Sequence, residues 1–291
     1  MSLFVGSGVA IITPFKENGV DFNKLEELLN WHVENHTDAI IICGTTGEAS
    51  TMTDDEKKKA ICTTVEVINK RIPVIAGVGT NNTLKTLEFS KYSKEVGIDG
   101  LLVITPYYNK TSKKGLFEHF KTINDQVDLP IMAYNVPSRT GMNITPDDLL
   151  SLSKLKNITS IKEASGNISQ AILYRKLCPQ IDLYSGNDDQ TVALMSIGAK
   201  GTVSVAANII PEEIHNMTHN YINGKTKEAL NMQLKYLNLI NSLFIETNPI
   251  PVKTSLNLMG KNVGELRLPL VNMEEKTLLV LKNELEKLNL I

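Results

Sequence analysis

Eight short apolar runs rich in β-formers recur along the first three quarters of this chain, each followed by a longer stretch of helical period. They lie at residues 8–15, 38–44, 73–79, 100–105, 130–136, 158–165, 181–187 and 201–208. Most are nearly continuous in apolar character instead of alternating, as expected of parallel strands buried on both faces. The intervening segments carry helix-start signals. Thr53 to Glu56 reads as a capping box, Thr145 as an N-cap with Pro146 at the first helical position, and Phe22, Leu25, Leu29 and Val33 as one apolar stripe. Eight strand-helix units in about 225 residues match an α/β fold of the (β/α)8 TIM-barrel type. A doubly wound open sheet is the main competitor.

After Asn223 and Gly224 the strand signal stops, so residues 1–225 are predicted to form the catalytic barrel and 226–291 a small C-terminal helical domain. That domain should break at Pro249 and Pro251 and again around 260–269. Its stripe of Leu278, Leu281, Leu285 and Leu288 is expected to pack as core against the barrel, with an oligomer surface as the other possible use.

Charge excludes some partners. Thirty Lys and Arg against 32 Asp and Glu give a net charge of −2 with no long run of one sign, so nothing draws the chain to nucleic acid or an anionic membrane. A small-molecule partner is expected. Cys43, Cys62 and Cys178 are odd in number and lack CxxC spacing, which fits free buried thiols in a reducing compartment. No basic region precedes the first apolar residues and no run nears the roughly 18 apolar residues of a membrane span, so a cytoplasmic location is expected.

Several familiar motifs fail. The pairs His32/His36 and His215/His219 have helical HxxxH spacing but lack a Glu after the first His and any obvious third ligand, so solvated helix faces are expected and no metal. Gly224-Lys225-Thr226 lacks the earlier glycine of a phosphate loop, where His219 stands, and Gly77-Val78-Gly79 lacks the third glycine of a dinucleotide fingerprint, where Asn82 stands. No GxSxG surrounds a serine.

In a barrel of this type chemistry sits at the C-terminal ends of the strands. Gly44-Thr45-Thr46-Gly47-Glu48, after the second run, offers hydroxyls and backbone N–H groups able to hold a small carboxylate, or an ordinary Gly-rich turn. Thr105-Pro106-Tyr107-Tyr108-Asn109 ends the fourth run, and Tyr134 with Arg139 follows the fifth. Lys162 is the most informative residue, because it sits inside Ser160-Ile161-Lys162-Glu163-Ala164, where a parallel strand calls for apolar side chains. Burial disfavours an ammonium ion and favours the free amine, the form that attacks a carbonyl. Alternation sends Glu163 to the opposite face. A lysine merely paired with a core carboxylate is the competing reading. Taken together, an amine nucleophile, a nearby phenol, threonine hydroxyls and a guanidinium suit a 2-oxo acid and a second anionic carbonyl compound.

At these residues the chain closely resembles the dihydrodipicolinate synthases of the N-acetylneuraminate lyase family, class I pyruvate-dependent barrel enzymes, and the similarity spans effectively the whole sequence. The resemblance implies a lyase with no separate cofactor, which forms a covalent pyruvate imine on Lys162 and condenses it with L-aspartate 4-semialdehyde on the diaminopimelate route to lysine. It implies Tyr134 as proton donor and acceptor, Thr45 and Tyr108 completing the relay, and Tyr108 reaching in from a neighbouring subunit. Thr46 would hold the pyruvate carboxylate, Val203 line that pocket, Gly186 give backbone contacts and Arg139 bind the semialdehyde carboxylate. A homotetramer built from tight dimers is implied too. The alternatives are a pyruvate lyase of a sugar acid such as N-acetylneuraminate or 2-keto-3-deoxygluconate and, more distantly, a non-catalytic 2-oxo-acid binder; the Arg139 stretch resembles the synthase pattern.

One departure concerns regulation. Lysine-inhibited members use His and Glu side chains where Asp54, Lys57 and Lys85 stand here, although Asn81 and Tyr107 are retained. Lys85 would set a cation where the effector ammonium is expected, so insensitivity to lysine is expected.

Overall fold

The computed structural model describes residues 2–17 and 19–291. Eight parallel strands close into a barrel: β1 (Gly6–Ala10), β2 (Ala39–Ile42), β3 (Val74–Gly77), β4 (Gly100–Ile104), β5 (Ile131–Asn135), β6 (Ile158–Glu163), β7 (Asp182–Ser185) and β8 (Gly201–Ser204). Each pairs with its neighbour in sequence, and β8 closes on β1 through the register Gly6 to Gly201. The expected barrel is therefore the fold, and the open sheet is not.

Both faces of the strands are buried, which is why their sequences are almost unbroken in apolar character. The inward residues, among them Ile41, Leu102, Met132, Tyr134, Tyr184 and Val203, fill the barrel interior. The outward ones pack under the surrounding helices α1 (Phe22–Glu34), α2 (Asp54–Ile68), α3 (Thr83–Glu95), α4 (Lys113–Gln126), α5 (Pro146–Leu152), α6 (Ile168–Leu177), α7 (Thr191–Ser196) and α8 (Pro211–Ile222). The α2 capping box at Thr53 and Glu56 forms, and Thr145 caps α5 with Pro146 at its start.

Every predicted run is longer than the strand formed, and two run four or five residues past the end of theirs. β1 ends at Ala10, after which the Asn208 side chain accepts the Ile12 N–H and Phe15 enters a small antiparallel ribbon with Val20. β8 stops at Ser204, because the next two N–H groups, of Val205 and Ala206, donate to the Asp188 carboxylate instead of a neighbouring strand. In both places the run stays buried beyond the strand end, as loop after β1 and as a 3-10 turn at Ala206–Asn208 after β8, which periodicity alone cannot tell from strand.

The C-terminal part is helical: α9 (Thr226–Ser242), α10 (Ile250–Leu258) and α11 (Glu275–Lys287). Pro251 does not break a helix; it lies in the first turn of α10, where its missing N–H costs nothing. Leu281 and Leu285 are buried, and α11 packs on α9 and α10, so the leucine stripe is core of this helical part more than a seam on the strands. Among the described residues no helix is long and apolar enough to cross a membrane.

The two HxxxH pairs are only in part the solvated faces expected: His36 is exposed, but the other three histidines are held by partners. His32 is buried against the Thr37 hydroxyl at 3.0 Å, and burial lowers its pKa to about 3. His215 and His219 both bond, at 3.0 Å, to Asp38, whose carboxylate also accepts the Ser7 N–H. These three side chains are close enough to share a cation, but they already satisfy one another and join α8 to the starts of β1 and β2 at the opposite end of the strands from Lys162.

Candidate active site

Strand register builds the centre of the site. Ile104, Tyr134, Lys162 and Tyr184 stand abreast on four consecutive strands. Lys162 is 6% exposed, and its Nζ lies 4.3 Å from the centroid of the Tyr134 ring; among the described residues it makes no ion pair. Glu163 points to the other face, as alternation requires, where it accepts from the Asn135 amide at 3.0 Å and the Ser165 N–H at 2.6 Å. It is thus occupied in a polar network behind the strand. Room for the lysine is kept by Gly186: a Cβ there would lie 3.0 Å from Lys162 Cε and 2.7 Å from the Ala164 methyl.

The loop after β2 supplies the second group. Thr13 Oγ1 donates to Gly47 O at 2.6 Å, and the Glu48 carboxylate bonds to Lys253 Nζ at 2.8 Å and the Arg267 N–H at 3.0 Å. Among the described residues nothing accepts the N–H groups of Thr45 or Thr46, so two adjacent donors remain for an anion. Arg139, on a helical turn at Pro137–Thr140, donates from Nη2 to Asn248 O at 3.1 Å.

These groups face one cavity. Thr45, Thr46, Tyr134, Arg139, Lys162 and Gly186 all line it, together with Asn248 from the C-terminal part. An adjoining outer cavity shares Thr45, Tyr134 and Arg139 and adds Tyr107 and Lys57. A buried, unpaired amine in a cavity with a phenol, an anion-binding loop and a guanidinium can form an imine with a small oxo acid and receive a second anion.

Comparison with known proteins agrees with this chemistry. The Dihydrodipicolinate synthetase family matches residues 3–288. The chain belongs to that family. It is 63% identical to the 4-hydroxy-tetrahydrodipicolinate synthase of Clostridium novyi over 99% of this chain and 98% of that one. It is 59% identical to 4-hydroxy-tetrahydrodipicolinate synthase 1 of Clostridium acetobutylicum over the full length of both. Among solved structures, dihydrodipicolinate synthase from Thermotoga maritima superposes with TM-score 0.96 at 42% identity, covering all of both chains. The Acinetobacter baumannii enzyme, crystallised with pyruvate, superposes with TM-score 0.95 at 41% identity over 99% of each. This family member is accordingly an enzyme of the lyase class.

Two of the site residues expected from sequence lie outside the inner cavity of this family member. Val203 is buried in the barrel interior among Tyr134, Ala164 and Tyr184, and Val205 lines the cavity in its place. Tyr108 is 91% exposed at φ 69° and does not reach Lys162 within its own chain. Three residues went unread in the sequence. Asn248 and Lys253 come from the helical part, which strand-end logic does not search. Asp188 is buried behind β7 and β8, where its Oδ2 accepts from Val205 N at 2.9 Å and Ala206 N at 3.1 Å. Burial pushes its carboxyl up, opposed by Ser204, those two N–H groups and the charge of Lys162. Cys43 is buried, and burial pushes its thiol up to about 12, which disfavours the thiolate.

Proposed function

We propose that the chain is a 4-hydroxy-tetrahydrodipicolinate synthase, condensing pyruvate, held as an imine on Lys162, with L-aspartate 4-semialdehyde. The observation that carries this reading is the lysine itself, buried on the barrel's inner face with a tyrosine ring beside it and no ion pair among the described residues. In the proposed reaction the Lys162 amine attacks C2 of pyruvate and loses water to give the imine. Loss of a C3 proton gives an enamine, whose carbon attacks the aldehyde. The amino group of the second substrate then displaces Lys162 from C2 and closes the ring.

Tyr134 moves protons at the imine, with Thr45 beside it and Tyr108 supplied by a second copy of the chain, which suits its exposed position here. Thr46 and the loop N–H groups take the pyruvate carboxylate, Gly186 gives backbone contacts, Val203 packs beneath, and Arg139 takes the semialdehyde carboxylate. A homotetramer of tight dimers in the cytoplasm follows from this reading. Residues 1–225 form its catalytic barrel and 226–291 its helical domain, which contributes Asn248 to the cavity wall.

Lysine is not expected to inhibit. Lys85 bonds to Asp54 at 2.5 Å and to Glu88 at 2.9 Å, so the carboxylate that could receive an effector ammonium is already engaged. Substantial inhibition of the purified enzyme by millimolar lysine would sink that part. The reaction itself is tested by measuring pyruvate-dependent turnover of aspartate semialdehyde beside cleavage of N-acetylneuraminate. The synthase reading requires the first, and cleavage of the sugar acid alone would replace it with a sugar-acid lyase.

A further inference from the structure

Two segments distant in sequence, the loop after β2 and the start of α10, are joined by two buried contacts. One is the ion pair of Glu48 and Lys253, at 2.8 Å with both side chains 1% exposed. The other lies within the cavity: Asn248, 6% exposed, donates from Nδ2 to Thr46 Oγ1 at 3.0 Å. Its amide oxygen is buried and without a partner, so this is the side chain's one hydrogen bond among the described residues.

A threonine hydroxyl carries one proton and two acceptor lone pairs. Since Thr46 Oγ1 accepts from Asn248, its proton is left to donate elsewhere, and the cavity with Lys162 is where its neighbours' free N–H groups lie. We infer that Asn248 is a positioning residue that turns the Thr46 hydroxyl into a fixed donor toward the pyruvate carboxylate, so that the helical part sets affinity for the first substrate. This rests on the carboxylate role proposed above for Thr46. Arg139, by contrast, is held by the main-chain oxygen of Asn248, which survives any substitution of the side chain.

The test is the pyruvate concentration that gives half-maximal borohydride trapping, read by intact mass, together with steady-state constants for both substrates. Asn248→Ala should raise half-saturation by pyruvate about tenfold, leaving kcat and the KM for the semialdehyde within about threefold. Asn248→Asp, of the same shape, should be worse, about a hundredfold, because its carboxylate accepts the Thr46 proton and repels the substrate anion. If the alanine variant fails to fold, the aspartate variant carries the test. In a Thr46→Val background, Asn248→Ala should add nothing further.

Unchanged pyruvate affinity, an equal rise in both KM values, or full additivity with Thr46→Val would each overturn the inference. A wild-type protein that forms no pyruvate adduct would instead overturn the reaction proposed above.

Discussion

Two lysines of this chain are buried beside aromatic rings, and their surroundings separate chemistry from architecture. Lys253, in α10, is 1% exposed, 4.4 Å from the Phe15 ring centroid, and bonded to the Glu48 carboxylate and to Glu265 O at 2.7 Å. Lys162, on β6, is 4.3 Å from the Tyr134 ring and has neither an ion-pair partner nor a hydrogen bond among the described residues. Burial lowers the Lys253 pKa, and Glu48 opposes that shift. Every donor capacity spent on Lys253 fixes a loop; the same capacity at Lys162 is left for a substrate. A buried amine is thus read by what surrounds it, and proximity to a ring does not distinguish the two.

The largest effect expected is from Lys162→Ala, which should abolish the pyruvate adduct and lower turnover roughly a thousandfold or more, with the melting temperature little changed. Near-normal turnover would erase the distinction between the lysines. Lys253→Met should do the reverse in kind, leaving Glu48 as a buried unpaired charge and costing about 3–5 kcal/mol in denaturant unfolding. Adding Glu48→Gln should restore most of that loss, and a Lys253→Met protein as stable as wild type would contradict the pairing account.

Arg139→Ala should lower kcat/KM for the semialdehyde about a hundredfold while pyruvate imine formation persists. Loss of the imine in that variant would place Arg139 with Lys162 and not with the second substrate.

A smaller effect concerns pH. Burial lowers His32 to about 3 and His119 to about 4, so both stay neutral in the folded chain where the unfolded chain takes up protons. Their contribution is complete above the ordinary value of about 6.5 and is lost as pH falls from there toward 4 and then 3. His119→Gln should flatten the upper part of that decline in melting temperature against pH, and an unchanged slope would refute the assignment.

The barrel was legible because parallel strands buried on both faces leave continuous apolar runs, and eight such runs with helices between them admit few folds. Lys162 was legible for the same reason, as a polar interruption in one of those runs. Thr45, Thr46, Tyr134 and Arg139 stood out because loops at one end of such a barrel carry the site, Gly186 came from the family resemblance, and the fold brings all five to one cavity. Strand ends at Ala10 and Ser204 were not legible, since Asn208 and Asp188 divert the backbone there through contacts far apart in sequence. Asn248 and Lys253 escaped for a related reason: their meaning depends on Thr46 and Glu48, some two hundred residues away. The His215/His219 pair on α8 was misread as solvated because its partner, Asp38, stands just before β2, some 180 residues away.

The comparison of the two lysines is tested most directly by reducing the protein with borohydride in the presence of pyruvate and mapping the adduct by peptide mass. The account predicts a single adduct on Lys162 and none on Lys253. No adduct, or one carried by another lysine, would contradict it.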